Sequence, residues 1–415
     1  MSGREARRRA EAGATRGAAT QAAAGAGELI ARARAAGVLA LDTEFMGEGR
    51  YRTLLCLIQL AAPEQDDGGE SIALVDPLRE DVELEPLAEA LADPEVRIVV
   101  HAGRQDIALL RRELRCEVTN VFDTQIAAGF SGLAAQASYD SLLSDVLGLR
   151  VAKTASFTRW DARPLSAEQL AYAREDVVHL LDLASELEGR LDELGRLEWA
   201  LEECRALSTV SDERDPQTIF ERLPRVGGLN ASARAVAREL VEWRERTAAR
   251  QNRPVQSVLS DAGLVEVARR RPASGEDLGK IRGVGGSAQG RRGRELLDAV
   301  ARARNRPAEP PPQGPRGPAP RPEDLPLVAL AEALARTRAR EAGLAYELVA
   351  ARADLQAIVT AVRTGGELPD VRTLRGWRAK LAGEEMIELL EGRLALSVVR
   401  EGQVRRVQAE PRAGH

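Results

Sequence analysis

Val38-Leu39-Ala40-Leu41-Asp42-Thr43-Glu44-Phe45 starts as an apolar strand and ends on two carboxylates. Side chains alternate along a strand, so Asp42 and Glu44 leave by the same face. A second apolar run, Val96 to Val100, leads to His101 and then to Asp106. A third fragment, Tyr172-Ala-Arg-Glu-Asp176, lies in a strongly helical segment; residues four apart share a helix face, so Tyr172 and Asp176 project together. Each fragment alone has a plain structural explanation. A D-x-E pair on a strand is often a solvated edge, a carboxylate opening a helix complements the helix dipole, and a Tyr/Asp pair suits any amphipathic helix. In conjunction they offer four hard oxygen ligands and a phenol at element ends. Two magnesium ions need such a set to cleave a phosphodiester.

Composition narrows the class. The 415 residues, 44% hydrophobic and 30% charged, suit a chain of two or three globular domains. No apolar run of about 18 residues exists, so no membrane association is expected. The Ala/Gly-rich N-terminus has no apolar core of the signal-peptide kind. Cys56, Cys116 and Cys204 form no zinc-like spacing, and the expected compartment is the cytoplasm. The net charge of -5 conceals an asymmetry: residues 37–190 carry 14 basic and 28 acidic side chains, residues 212–306 carry 20 and 13. An acidic segment bearing a carboxylate cluster thus precedes a basic one, a pairing that can hold a polyanion around bound cations. Gly275 to Lys280 lacks P-loop spacing, which excludes a nucleotide cofactor of that kind.

The order of elements predicts an α/β mixed sheet covered by helices, followed by two all-α modules. Strands are expected over Gly37–Glu44, Leu54–Ala61, Ser71–Val75 and Arg97–His101, and helices over Leu84–Ala92, Asp106–Arg115 and Ser166–Leu194. Ser166 and Gln169 form a capping-box pattern opening the last of these. The predicted domains are a flexible tail (1–26), the catalytic unit (27–207), a helical module (212–304), a Pro/Gly-rich linker (305–322), a second helical module (323–403) and a tail (404–415).

Leu41-Asp-Thr-Glu-Phe45, Cys56-Leu-Ile-Gln-Leu60, His101-Ala-Gly-Arg-Gln-Asp106, Phe122-Asp-Thr-Gln125, Arg163-Pro-Leu-Ser166 and Tyr172-Ala-Arg-Glu-Asp176 follow one another between Val38 and Leu183. In that order they resemble the ribonuclease D family, of the tyrosine branch of the DEDD exonucleases. The resemblance implies an RNase H-like fold and 3'→5' hydrolytic release of 5'-nucleotides from RNA. It assigns Asp42, Glu44, Asp106 and Asp176 to two divalent ions, Mg²⁺ or Mn²⁺, and Tyr172 to the attacking water. Asp42 would bridge the ions, Glu44 and Asp176 would complete one site, and Asp106 would act in the other. With an ordinary pKa of about 10, a tyrosine orients water better than it deprotonates it. Leu240-Val-Glu-Trp-Arg-Glu245, Arg253-Pro254, Asp261-Ala-Gly-Leu264 and Ile281-Arg-Gly283 resemble the HRDC module, which implies nucleic-acid contact without catalysis; the last module is expected to be HRDC-like.

Six residues are expected to handle substrate: Phe45 and Gln59 at the terminal nucleotide, His101 beside the site, and Lys153, Arg159 and Trp160 as phosphate and stacking contacts. The expected substrate is RNA, with tRNA precursors carrying 3' extensions favoured by resemblance, and the expected enzyme is a monomer. The rivals are a DNA-directed 3'→5' exonuclease and an RNA-binding adaptor that has kept the fold without the chemistry.

Overall fold

The computed structural model describes residues 25–64, 71–150, 159–284, 290–304, 321–401 and 404–412, so Lys153 lies outside the described residues. Strands β1 (Val38–Met46), β2 (Leu54–Ala61), β3 (Ile72–Val75), β4 (Arg97–Val100) and β5 (Val121–Asp123) form one sheet in the order β3-β2-β1-β4-β5. The first three run antiparallel, while β4 and β5 lie parallel to β1. Helix α1 (25–36) precedes the sheet; α2 (Glu85–Ala92) and α3 (Arg104–Leu114) connect β3 to β4 and β4 to β5. Parallel neighbours require such crossovers, whereas turns suffice for the antiparallel half.

The period-two pattern of β1 sorts its residues between two cores. Leu39 and Leu41 join Ile58, Leu60, Ile98 and Val100 on the face covered by α1, α2 and α3. Ala40 joins Ala61, Val99 and Phe122 on the other face, where α4 (Thr124–Phe130) packs. Beyond α4 come α5 (Tyr139–Leu142), which continues into a π-turn at Leu143–Leu147, then α6 (Ala167–Val178), α7 (Leu180–Glu193) and α8 (Leu197–Arg205). The single helix expected over Ser166–Leu194 is broken at His179, which has φ -110° and ψ 9°. The break lets α6 lie across β1, β2 and β3 while α7 turns onto α4 and β4. Hydrophobic spacing is continuous through His179, so periodicity alone could not reveal it.

Helices α9 (Pro216–Glu221), α10 (Ala231–Gln251), α11 (Val255–Val258), α12 (Asp261–Arg270), α13 (Gly275–Gly279) and α14 (Gly290–Arg304) enclose a core of their own around Phe220, Leu240, Trp243, Leu264 and Val300. The last elements are α15 (Asp324–Glu341), α16 (Tyr346–Val349), α17 (Arg352–Thr364), α18 (Gly376–Arg378), α19 (Glu384–Leu390), and a hairpin of β6 (Leu394–Glu401) and β7 (Val404–Pro411). A strand therefore occupies most of the stretch from 404 that was expected to be a tail. The alternation Leu394, Leu396, Val398, opposite Pro411, Ala409 and Val407, is the period-two signal that forms it. Val328, Leu334, Val349, Trp377 and Met386 merge with Phe130 and Leu187 into one apolar cluster, so these final helices complete the core on the α4 face of the sheet. Among the described residues no helix is long and apolar enough to cross a membrane.

Candidate active site

Asp42 and Glu44 alternate with Thr43 near the end of β1, on the face that α6 covers. The pairing with β2 shifts between Glu44 and Phe45, a bulge directly beside the two acids, where such irregularities re-aim side chains. Tyr172 and Asp176 descend onto the same face from α6. Its start is fixed by the capping box: Ser166 Oγ accepts from Gln169 N at 3.1 Å, and Ser166 N donates to Gln169 Oε1 at 3.0 Å.

Asp106 arrives from the opposite face, in the first turn of α3. The tight turn feeding α3 has Ala102 at φ 52° and Gly103 against Val100, where a Cβ would come within 2.5 Å of that side chain. Asp123 clamps this turn by accepting from Ala102 N at 3.1 Å and Gly103 N at 2.9 Å, and it caps α4 by accepting from Gln125 N at 2.8 Å. The Asp106 carboxylate, only 8% exposed, accepts a short hydrogen bond from the buried Thr43 hydroxyl.

The four acids act on one another. Burial, then repulsion by Asp106, Asp176 and Glu44, holds the Asp42 carboxyl well above the usual carboxylate range. Burial followed by Asp176 and Asp106 pushes Glu44 up to about 8. Asp176 is raised to about 7 by burial, then by Asp140 and Glu175. Burial also raises Asp106, against the opposing hydrogen bond from Thr43. Among the described residues, the charges that act most on the four are other carboxylates. An all-oxygen, like-charged cluster with no counter-cation among the described residues fits divalent Mg²⁺ or Mn²⁺ and not a thiolate-seeking metal. As placed, no three His, Cys, Asp or Glu groups among the described residues form a ready cage for one ion; Asp106 is turned onto Thr43, and the other acids repel.

Burial, then Asp176, Glu44 and Asp42, raises the Tyr172 phenol above its ordinary value, so it stays protonated and keeps a hydrogen to donate. Trp160 does not offer the expected stacking surface. It is 3% exposed and packs with Leu57 and Ala173, its ring centroid 6.1 Å from that of Tyr172. Arg159 is exposed, its Nε 3.0 Å from Asp161 Oδ1. Phe45 packs against the core on the far face of the sheet. The His101 Nδ1 lies 3.0 Å from Thr124 Oγ1, a second bond ties the ring to the Ala137 backbone, and burial lowers its pKa; it braces the turn after β4. Gln59 is fully buried opposite Asp42.

Three neighbours escaped the sequence reading: Thr43, Tyr139 and Asp140. Thr43 was hidden by pointing away from the acids it separates. The Tyr139 hydroxyl is buried beside the site; burial raises its pKa, against a hydrogen bond with the His179 backbone, and Asp176 and Asp42 raise it further. No local pattern marks α5 as adjoining the site. A cavity of about 670 Å³ opens at the other end of the sheet, beside Gly37, Arg97 and Glu188, and contains none of these groups.

Comparison with known proteins finds relatives over most of the chain. The family described as 3'-5' exonuclease matches residues 19–192, and the HRDC domain family matches residues 233–300. A ribonuclease D of Gluconacetobacter diazotrophicus is 38% identical over 376 residues, covering 89% of this chain and 92% of that protein. One from Granulibacter bethesdensis is also 38% identical, covering 86% and 88%. The crystal structure of Escherichia coli RNase D, described as an exoribonuclease involved in structured RNA processing, superposes with a TM-score of 0.76 at 28% identity, covering 88% of this chain and 96% of that one.

Proposed function

We propose that this chain, which belongs to the ribonuclease D family and is a 3'→5' exoribonuclease, trims RNA 3' ends with two divalent ions held by Asp42, Glu44, Asp106 and Asp176. The observation that supports the reading is the convergence of these acids from β1, α3 and α6, with only carboxylates among the described charges acting on them. Bound there, a cation pair supplies an activated water and neutralises charge on the leaving 3'-oxygen. The protein's part is orientation. Tyr172, protonated and backed by Trp160, donates a hydrogen bond that aligns the attacking water. Thr43 holds Asp106 in place from the far side of β1. Asp123 and His101 keep the turn carrying Asp106 from shifting.

The substrate we favour is a tRNA precursor with a 3' extension, processed in the cytoplasm by a monomer. Its body would lie on the basic HRDC segment and its end at the acids. Arg269 and Arg270 pair with Glu266, and Arg291 pairs with Glu295, but exposed pairs of this kind contribute only about 0–1 kcal/mol and yield readily to phosphate. Arg159, paired only at the surface, is the remaining candidate phosphate contact among the described substrate residues. The test is a 3'-extended tRNA incubated with wild type and Asp42→Asn, with and without EDTA. Single-nucleotide laddering should appear only with wild type and cation; laddering that persists in EDTA sinks the metal mechanism. Matched RNA and DNA oligonucleotides test the rival DNA-directed activity: RNA should be degraded in preference, and a preference for DNA favours the rival.

A further inference from the structure

Gln59 lies in the middle of β2, bonded on one side to β1 and on the other to β3, so its backbone is fixed. It is 0% exposed, and both Nε2 and Oε1 are buried without a hydrogen-bond partner. In the sheet it stands between Leu74 on β3 and Asp42 on β1. Directly opposed residues in an antiparallel pair share a face, with Cβ atoms about 4.5–5.5 Å apart. Leu57 and Ala61, next along that face, are apolar, and Ala173 of α6 is buried over the same region. Among the residues directly beside it in the sheet, Asp42 alone has a polar side chain, with Glu44 next on the diagonal.

An unpartnered amide in a closed site opposes folding, and a methionine of similar length would fill the space without that cost. Such a group therefore finds its partner in another state of the protein. With zero exposure, Gln59 offers no surface here to a base or ribose, the role expected from the sequence. The geometry points to Gln59 as a positioning residue that fixes the ionised Asp42 carboxylate through a hydrogen bond from its Nε2–H, formed in the cation-loaded enzyme. This inference rests on the metal-dependent reading above. A group that orients a metal-binding carboxylate governs cation affinity and turnover, and it leaves RNA binding alone.

The experiment compares full-length wild type, Gln59→Met and, as a second apolar variant, Gln59→Leu. Thermal unfolding is followed in EDTA and through a Mg²⁺ titration, and kcat and KM are measured on an RNA oligonucleotide. The apolar variants should unfold at a higher temperature than wild type in EDTA. They should need about tenfold to a hundredfold more Mg²⁺ to reach half of the cation-induced stabilisation, with kcat lowered and KM unchanged. An unaltered Mg²⁺ midpoint in a folded variant overturns the inference, and so does a raised KM at constant kcat. If wild type itself gains no stability from Mg²⁺, the metal reading fails and this inference goes with it. A wild-type gain matched in both variants removes only the role of Gln59.

Discussion

Asp106 and Thr43 meet through a hydrogen bond on the α3 side of β1, because Thr43 faces that side while Asp42 and Glu44 face α6. Replacing Thr43 with valine keeps the volume and removes the donor. Asp106 should then lose its orientation, and turnover should fall by about tenfold to a hundredfold with KM for RNA little changed. Titration of the acids gives a second expectation. Unfolded carboxyls ionise at about 4, whereas folded Glu44 and Asp176 do so at about 8 and about 7. Between those limits the native state binds protons that the unfolded chain does not, so stability without cations falls as pH rises through the window and levels off above it. Thermal melts in EDTA from acidic to mildly alkaline pH should show this decline, Glu44→Gln should reduce it, and saturating Mg²⁺ should largely cancel it. Asp42, Glu44, Tyr172 and Asp176 were legible as a group because strand and helix periodicity state which residues share a face. Tyr139 and Thr43 were not, since their importance comes from neighbours distant in sequence.

At the scale of elements, the turn from β4 into α3 is the most constrained connection near the acids. Gly103→Ala would drive a methyl into Val100, contacts of 2.5 Å that cannot be relieved without moving α3. A loss of about 1–3 kcal/mol in stability is expected by denaturant titration, with activity falling further than stability because Asp106 moves with the helix. The sheet and its helices followed from hydrophobic spacing, turn residues and caps; the expected strands match to within a residue or two at most ends. The break at His179 did not follow, because α6 and α7 share a continuous apolar pattern and diverge only where each meets a different partner.

Across the whole molecule, the helical segments attach to the sheet in different ways. The hairpin loop after β1 carries Tyr51, whose hydroxyl donates to Glu245 Oε2 at 3.1 Å and whose ring lies under Arg214, itself 2.7 Å from Glu245. A polar clamp thus holds the HRDC segment to the strand bearing Asp42 and Glu44. Glu245→Ala should raise KM for a structured RNA while sparing kcat on a short oligonucleotide, measured side by side. The C-terminal elements are joined more deeply. Trp377 stacks on Trp199 at 5.2 Å and meets Phe130 edge-on at 5.0 Å, its Nε1 donating to Glu203. Arg378 binds the same carboxylate. Trp377→Ala should cost about 3–5 kcal/mol and lower the single unfolding transition of the sheet, seen by calorimetry.

By itself the sequence determined which acids and which phenol share a face, and from them came the expectation of hard divalent cations. Local periodicity is enough for that, since it fixes the face each side chain takes from its own strand or helix. Only the tertiary structure decided what lies behind those groups. The hydroxyl holding Asp106, the buried amide facing Asp42, the burial of Trp160 and the merging of the final helices with the sheet's core all depend on contacts between distant segments. Such contacts are selected by packing and desolvation, which no local pattern encodes.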